Sequence, residues 1–372
     1  MMHIGFVAHE VHAEGGMERA ALELILRLRR DHHVSIMSER CDAQAANATW
    51  VPVSGILTSL VHDYTFAWSA NLAERRLKPD ITYSIGSAAV DADVVIAQFC
   101  YAAFTKECGG IRGGARPWRR AYQFAAQRMA ATRERHIFSS PRVKRIVAVS
   151  QGVGRELVDH YNVDPERILV IPNGVDREVF KPTPTVMQKN ELRRRLGLPE
   201  SACIVLFVGG DWHRKGLPDV IRAVTPLREV VLVVVGRGNI AEFRGIASEL
   251  HATDKVVFIP HTTRPQDYYA AADIFAFPSR YEAFSLATLE AAASGLPLLT
   301  LRINGTEELV SDGVNGYFVG ASPQSIRERI EQLRDDAQLR YRLSLGALSS
   351  SERYGWNEIG NEHLRLVATL NK

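Results

Sequence analysis

Ser279-Arg280-Tyr281-Glu282-Ala283-Phe284-Ser285-Leu286-Ala287-Thr288-Leu289-Glu290 follows the apolar run Asp273-Ile274-Phe275-Ala276-Phe277-Pro278 and precedes Ala291-Ala292-Ala293-Ser294-Gly295. The apolar run reads as a buried strand closed by a proline. The alanines read as a helix that stops at Gly295. The order is strand, loop, helix, with Glu282 in the loop and Glu290 inside the helix. A helix starting near Phe284 or Ser285 leaves its first amides without partners, and with the helix dipole they favour an anion such as a phosphate. Glu290 lies among alanines, where a carboxylate needs donors; two adjacent sugar hydroxyls would supply them. Glu282, nearer the helix mouth, is placed for a second sugar. Two solvated glutamates at a helix start fit the same spacing.

The rest of the chain bounds this reading. Its 372 residues, 46% hydrophobic, predict two domains, each large enough for its own core. Lys and Arg total 45 against 42 acids, a net +3, so overall charge points to no particular partner. Cys41, Cys100, Cys108 and Cys203 form no CxxC pair, and no His/Cys run has metal-ligand spacing. They read as reduced thiols of a cytoplasmic protein, and no metal is expected. Apolar runs such as Val230 to Val235 are too short to span a bilayer. Met1 to Ala8 lacks a basic leader and reads as a first strand.

Strands and helices alternate along both halves, which predicts parallel sheets covered on both faces. Ile4 to Ala8 leads through Gly15-Gly16 into an amphipathic helix beginning at Met17. A glycine pair there lets backbone approach a phosphate or sugar, or only makes a turn. Gln98 falls just past a strand end, where open α/β sheets bind ligands, but an amide cannot act as a base. His9 and His12 are the alternatives in that half. Pro172-Asn173-Gly174-Val175-Asp176 is a strong turn, and Lys181 to Lys189 reads as a linker. This predicts one domain over 1–180, joined by a last helix at 356–372, and a second over 181–355.

In the second half, Gly209-Gly210-Asp211-Trp212-His213-Arg214-Lys215-Gly216 joins a strand to a helix. Two cations among glycines suit a diphosphate, although the loop lacks the P-loop form. Gly236-Arg237-Gly238-Asn239-Ile240-Ala241 follows another strand and supports a rival, a nicotinamide-dependent enzyme. That fingerprint needs an acid after the next strand, where Pro260-His261 stands instead. Residues 112–145 hold Arg112, Arg116, Arg119, Arg120, Arg128, Arg133, Arg135, Arg142, Lys144 and Arg145 against Glu134, interleaved with Trp118, Tyr122, Phe124 and Met129. This is either a solvated basic helix face or a surface for anionic lipid or a phosphorylated acceptor. Nucleic acid is the weaker reading, because no nucleic-acid motif accompanies it.

Glu-x-Phe-Ser with a second Glu at this spacing, after Pro-Ser and before Ala-x-Gly-x-Pro, resembles the double-glutamate motif of the retaining GT-B glycosyltransferases of family 4 (glycosyl transferases group 1), in particular lipopolysaccharide-core-type hexosyltransferases. The resemblance runs through nearly the whole chain. It implies two Rossmann-like α/β domains facing across a cleft, the last helix crossing back to the first domain. It also implies a donor that is a nucleotide-diphosphate sugar, UDP-sugar first, with no other cofactor, and an acceptor that is a glycan or lipid-linked hydroxyl. By that resemblance Arg214 and Lys215 meet the diphosphate with Gly209 and the amides of Ser285 and Leu286, beside Phe284. Glu290 holds the ribose, Glu282 the transferred sugar, and Gly15 and Gly16 lie beside the diphosphate and acceptor. Gly209-Gly210 replaces the family's usual Gly-Arg. A nucleotide-sugar epimerase on the same fold, or transfer to a soluble acceptor, stays open.

Overall fold

The short Val- and Ile-rich runs become parallel strands because both faces of each sheet are covered by helices, so neither face needs polar alternation. The structure, a computed structural model, describes residues 1–42, 47–56, 61–109, 117–260 and 262–370. The chain divides into one unit of Met1–Asn173 with Trp356–Lys372 and a second of Gly174–Gly355. The division falls inside the Pro172–Asp176 turn, ahead of the expected 180/181. Lys181 to Lys189 is not all linker either, because Thr185 caps a helix over Val186–Arg195 through the amide of Gln188.

In the first unit the main sheet runs Thr49–Pro52, His33–Ser38, His3–Val7, Ile81–Ile85, Val94–Ala97, Arg145–Ala148, Ile168–Val170, every pair parallel. The strand Thr49–Pro52 and the helix His62–Leu77 had no clear sequence signal; the helix's apolar stripe is weak, with only Phe66, Ala67 and Ala70 buried. The last helix, Trp356–Leu370, belongs to this unit. It packs on Met17–Leu28 so closely that a Cβ on Gly360 would stand 2.5 Å from Arg27 Cγ.

In the second unit the order is Val256–Ile259, Val230–Val235, Cys203–Val208, Ile274–Phe277, Leu298–Thr300, Gly316–Phe318, again all parallel. Asp273, entering its strand, binds Arg193 at 2.6 Å, Lys189 at 2.7 Å and the Ile204 amide at 2.8 Å, tying the Val186–Arg195 helix to the sheet. Burial pushes the Asp273 carboxyl up, and Lys189, Arg193 and these hydrogen bonds outweigh that, so it ends below its ordinary value. Near the end of this unit two helices, Pro323–Asp335 and Ala337–Ser351, follow one another, because Asp336 turns out of the first and caps the second through the Leu339 amide.

Candidate functional site

Numbered along the chain, the second unit's strands lie in the order 3-2-1-4-5-6, so the connections reverse direction between Cys203–Val208 and Ile274–Phe277. Loops leaving such neighbours at their carboxyl ends diverge and open a ligand crevice. One of these loops is Gly209 to Gly216 and the other is Pro278 to Ser285. The amide of Arg280 donates to the carbonyl of Arg214 at 3.0 Å and fastens them together.

Gly209 is required here. Its φ is +136°, and a Cβ on it would stand 2.6 Å from Lys215 Nζ. The lysine folds over that bare backbone, its ammonium 5.1 Å from the ring centroid of Phe277 at the end of the neighbouring strand. No carboxylate among the described residues pairs with Lys215. Gly236 closes the crevice from the next strand; with φ +139°, its Cβ would meet the Gly209 carbonyl at 2.3 Å. Gly238 lies flat against Trp212, whose Nε1 donates to the Gly209 carbonyl at 2.7 Å. The glycines of the G-x-G-x-x-A match therefore pack one loop on another, which explains them without a dinucleotide.

Arg214 and Glu282 meet each other. Arg214 Nη1 donates to Glu282 Oε1 at 3.0 Å and to the carbonyl of Tyr281, and its Nε donates to Asp211 Oδ2 at 2.6 Å. Ser279, fully buried, donates to the same Glu282 oxygen at 2.9 Å. Burial lowers the guanidinium's pKa, but Glu282 and Asp211 more than offset it, so the pKa rises. Sequence reasoning put Arg214 on a phosphate and Glu282 on a sugar as separate residues. In the structure Glu282 is oriented by Arg214, and Lys215 is the cation not engaged with a carboxylate.

The helix after the second loop is Leu286–Ala293, with Ser285 as its cap: Ser285 Oγ accepts from the Thr288 amide at 3.2 Å and from the Thr288 hydroxyl at 2.7 Å. Phe284 is buried, its ring 5.6 Å from that of Tyr354, and its backbone is pressed by Gly305 at φ +75°. Phe284 therefore supports the loop from behind. Glu290 is 5% exposed and accepts from the buried phenol of Tyr269 at 2.9 Å. The donor expected only from a ligand is thus partly built into the protein. Tyr269, Trp212 and Ser279 are the residues missed. Trp212, an aromatic inside a glycine loop, was the one with a signal.

The remaining candidates lie in the first unit, which is described by itself. Gly15 has φ +86° and a Cβ on it would strike Glu18 Oε2, while Gly16 caps the Met17–Leu28 helix without a side chain. Gln98 donates to Asn173 Oδ1 at 3.4 Å. His12 is bound to Glu10 at 2.6 Å, and the His9 ring lies tilted against Phe66, their centroids 4.2 Å apart. Of the basic stretch, Arg112, Arg116 and the side chains of Trp118, Arg119 and Arg120 lie outside the described residues, as does His261. Arg128 and Arg135 are exposed on the helix Pro117–Phe138, as are Tyr122 and Phe124, with the Arg128 guanidinium 5.8 Å from the Phe124 ring centroid. Arg133 is a correction to that surface. It is 5% exposed, donates to the Ser87 carbonyl and faces Asp63 at 3.3 Å. Arg142 and Lys144 are already paired with Asp91 and Asp93.

Two family models match, one in each half of the chain. The family described as Glycosyl transferases group 1 matches residues 188–347, and Glycosyltransferase Family 4 matches residues 14–179. A D-inositol 3-phosphate glycosyltransferase of Xylanimonas cellulosilytica is 34% identical over 238 residues, 61% of this chain and 57% of the relative. Its counterpart from Acidothermus cellulolyticus is 35% identical over 57% of this chain and 50% of its own length. The chain thus spans about half the length of the curated relatives it matches. Among solved structures, WaaG, a glycosyltransferase involved in lipopolysaccharide biosynthesis, aligns over 98% of this chain and 99% of its own with a TM-score of 0.83 at 21% identity. Anabaena Alr3699/HepE in complex with UDP and glucose aligns over 99% of this chain and 100% of its own with a TM-score of 0.78 at 18% identity. Two parallel Rossmann-like sheets, a basic glycine loop facing a glutamate-bearing loop, and family matches to each half lead to one statement: the chain belongs to the family 4, group 1 glycosyltransferases of GT-B fold.

Proposed function

We propose that the protein transfers a hexose-type sugar from a nucleotide-diphosphate sugar, UDP-sugar first, to an acceptor hydroxyl with retention at the anomeric carbon. The observation that carries this reading is Lys215, an ammonium without a carboxylate partner, folded over Gly209 at the switch point. A diphosphate there would meet Lys215 and the N-terminal amides of the Leu286–Ala293 helix, where charge developing on the leaving group is stabilised. Glu282, held by Arg214 and Ser279, is a preformed acceptor for hydroxyls of the transferred sugar. Glu290 is the ribose candidate, steadied by Tyr269. As the bond from the anomeric carbon to the donor phosphate breaks, the acceptor oxygen bonds to the same face, and its proton passes to the departing phosphate oxygen.

UDP-glucose and UDP complexes of Alr3699/HepE support a UDP-sugar donor, and the inositol 3-phosphate relatives support a polyol or glycan acceptor. A lipid-linked or cell-envelope acceptor is our reading, resting on exposed Arg128 over the Phe124 ring, with Tyr122 and Arg135 exposed on the same helix. No helix among the described residues is long and apolar enough to cross a membrane. Docking would therefore be peripheral, and binding to anionic vesicles should fall with salt and in Arg128→Glu/Arg135→Glu. No binding of the wild type at low salt would leave a soluble acceptor as the better reading.

The deciding experiment is calorimetry of UDP and uridine against wild type and Lys215→Ala. Losing a charge-assisted phosphate contact removes about 1.5–3 kcal/mol, a roughly tenfold to hundredfold loss for UDP, with uridine unaffected. Equal losses for both ligands would remove Lys215 from the phosphate. Incubation with UDP-glucose alone separates the alternative of an epimerase, which would produce a new sugar isomer without acceptor.

A further inference from the structure

His9 lies more than fifty residues before the adjacent pair His62 and Asp63, so no ligand spacing announces the three together. His9 follows the strand His3–Val7, and His62 and Asp63 open the helix His62–Leu77. His9 Nε2 stands 3.9 Å from Asp63 Oδ1, and His62 Nδ1 stands 3.5 Å from the same oxygen. One ligand atom from each of the three lies within 4.8 Å of the others. We propose that these three side chains form a zinc site in the first unit.

Ligand geometry favours zinc. Two imidazoles and a carboxylate are an ordinary zinc donor set, and bonds of about 2.0–2.2 Å in a tetrahedron hold neighbouring ligand atoms roughly 3.3–3.6 Å apart. The Asp63 legs are within a few tenths of an ångström of that, while the His9–His62 leg, within 4.8 Å, would close as the imidazoles turn onto the metal. A facial octahedral site would need about 3.0 Å, further from what is found. The outer contacts fit as well. His62 Nε2 is 2.8 Å from Glu39 Oε1, so a carboxylate orients the imidazole and leaves Nδ1 for metal, the usual arrangement behind a zinc-bound histidine. Arg133 faces Asp63 Oδ2 at 3.3 Å and leaves Oδ1 toward the histidines. Phe66, 4.2 Å from the His9 ring, fixes the plane of that imidazole.

The charges permit a dication. Glu39 and Asp63 outnumber the guanidinium of Arg133, and the imidazoles add nothing when neutral. The three side chains are 38%, 32% and 49% exposed, which leaves a fourth position for water or a substrate oxygen. In the first unit's sheet, the strand His3–Val7 lies at the reversal of strand order, the position where such sheets receive ligands.

The test is zinc titration of the chelator-treated full chain by calorimetry, with cobalt as a spectroscopic stand-in. We expect uptake of one equivalent, visible bands of four-coordinate cobalt in the wild type, and loss of both in His62→Ala and Asp63→Asn. Glu39→Gln should weaken zinc roughly tenfold to hundredfold while keeping the ligands. UDP binding, which belongs to the second unit, serves as the folding control and should be the same in all variants. No stoichiometric zinc uptake, six-coordinate cobalt spectra, or binding unchanged in Asp63→Asn with UDP binding intact would each overturn the site. None of these outcomes bears on sugar transfer, so this proposal can fail while that one stands.

Discussion

Glu134 shows how a single buried side chain sets a pH response. It is 3% exposed, accepts from Tyr161 at 2.6 Å and from the Tyr101 amide at 2.8 Å, and burial raises its carboxyl to about 7. The folded protein therefore holds a proton that the unfolded chain releases near pH 4.5. Between those values the native state binds more protons, so stability falls as pH rises, levelling off above about 7. Glu134→Gln keeps an acceptor for both donors and removes the ionisation. It should flatten that slope and gain about 2–3 kcal/mol at pH 8, read from urea midpoints at pH 5 and pH 8. Equal slopes in the two proteins would show that Glu134 is not the group responsible. Tyr269→Phe is the matching change near the site. Glu290 loses a donor, and a destabilisation of about 1–3 kcal/mol is expected, with weaker UDP binding if Glu290 holds the ribose.

At the scale of elements, the two crevice loops depend on glycines that have no room for a side chain. Gly236→Ala sets a Cβ against the Gly209 carbonyl at a φ that L-residues rarely adopt. Backbone cannot yield as a side-chain tip does, so a loss on the order of 2–4 kcal/mol is expected in chemical denaturation. Gly209→Ala carries the same backbone strain, at φ +136°, but differs in what it meets. Its clash is with the far end of Lys215, which can move away. That variant should fold but bind UDP worse than wild type, and unchanged UDP affinity would show that the position of the ammonium over Gly209 is unimportant. The loop-to-helix order around Glu282 and Glu290 was legible from proline, serine and glycine punctuation. The Arg214–Glu282 pair was not, because residues 214 and 282 meet only after the sheet places their strands side by side.

For the whole molecule, the two units should respond to different perturbations. UDP should slow amide exchange in residues 209–216 and 279–290 of the second unit. Gly360→Leu, whose side chain would collide with the stem of Arg27, should speed exchange in residues 17–28 and 356–370 of the first. Protection of the 17–28 and 356–370 helices unaltered in Gly360→Leu would contradict the packing described. UDP titrated in the presence of EDTA should bind as in its absence, because the diphosphate contacts proposed here are an ammonium and helix amides. Loss of binding, restored by Mg²⁺, would contradict that arrangement.

Local sequence determined the alternation of strand and helix, the parallel sheets it implies, the turn at Pro172-Asn173-Gly174, and the two crevice loops with their lysine and capping serine. These are short-range matters of periodicity, turn chemistry and backbone freedom, readable within a dozen residues. Tertiary structure alone decided that Arg133 is buried, that Tyr269 donates to Glu290, that Gly236 and Gly238 serve loop packing, and that His9 meets His62 and Asp63. Each of those pairings joins residues whose separation along the chain carries no period. Only the order of strands in a sheet, fixed by the packing of helices on both its faces, brings them within a few ångströms.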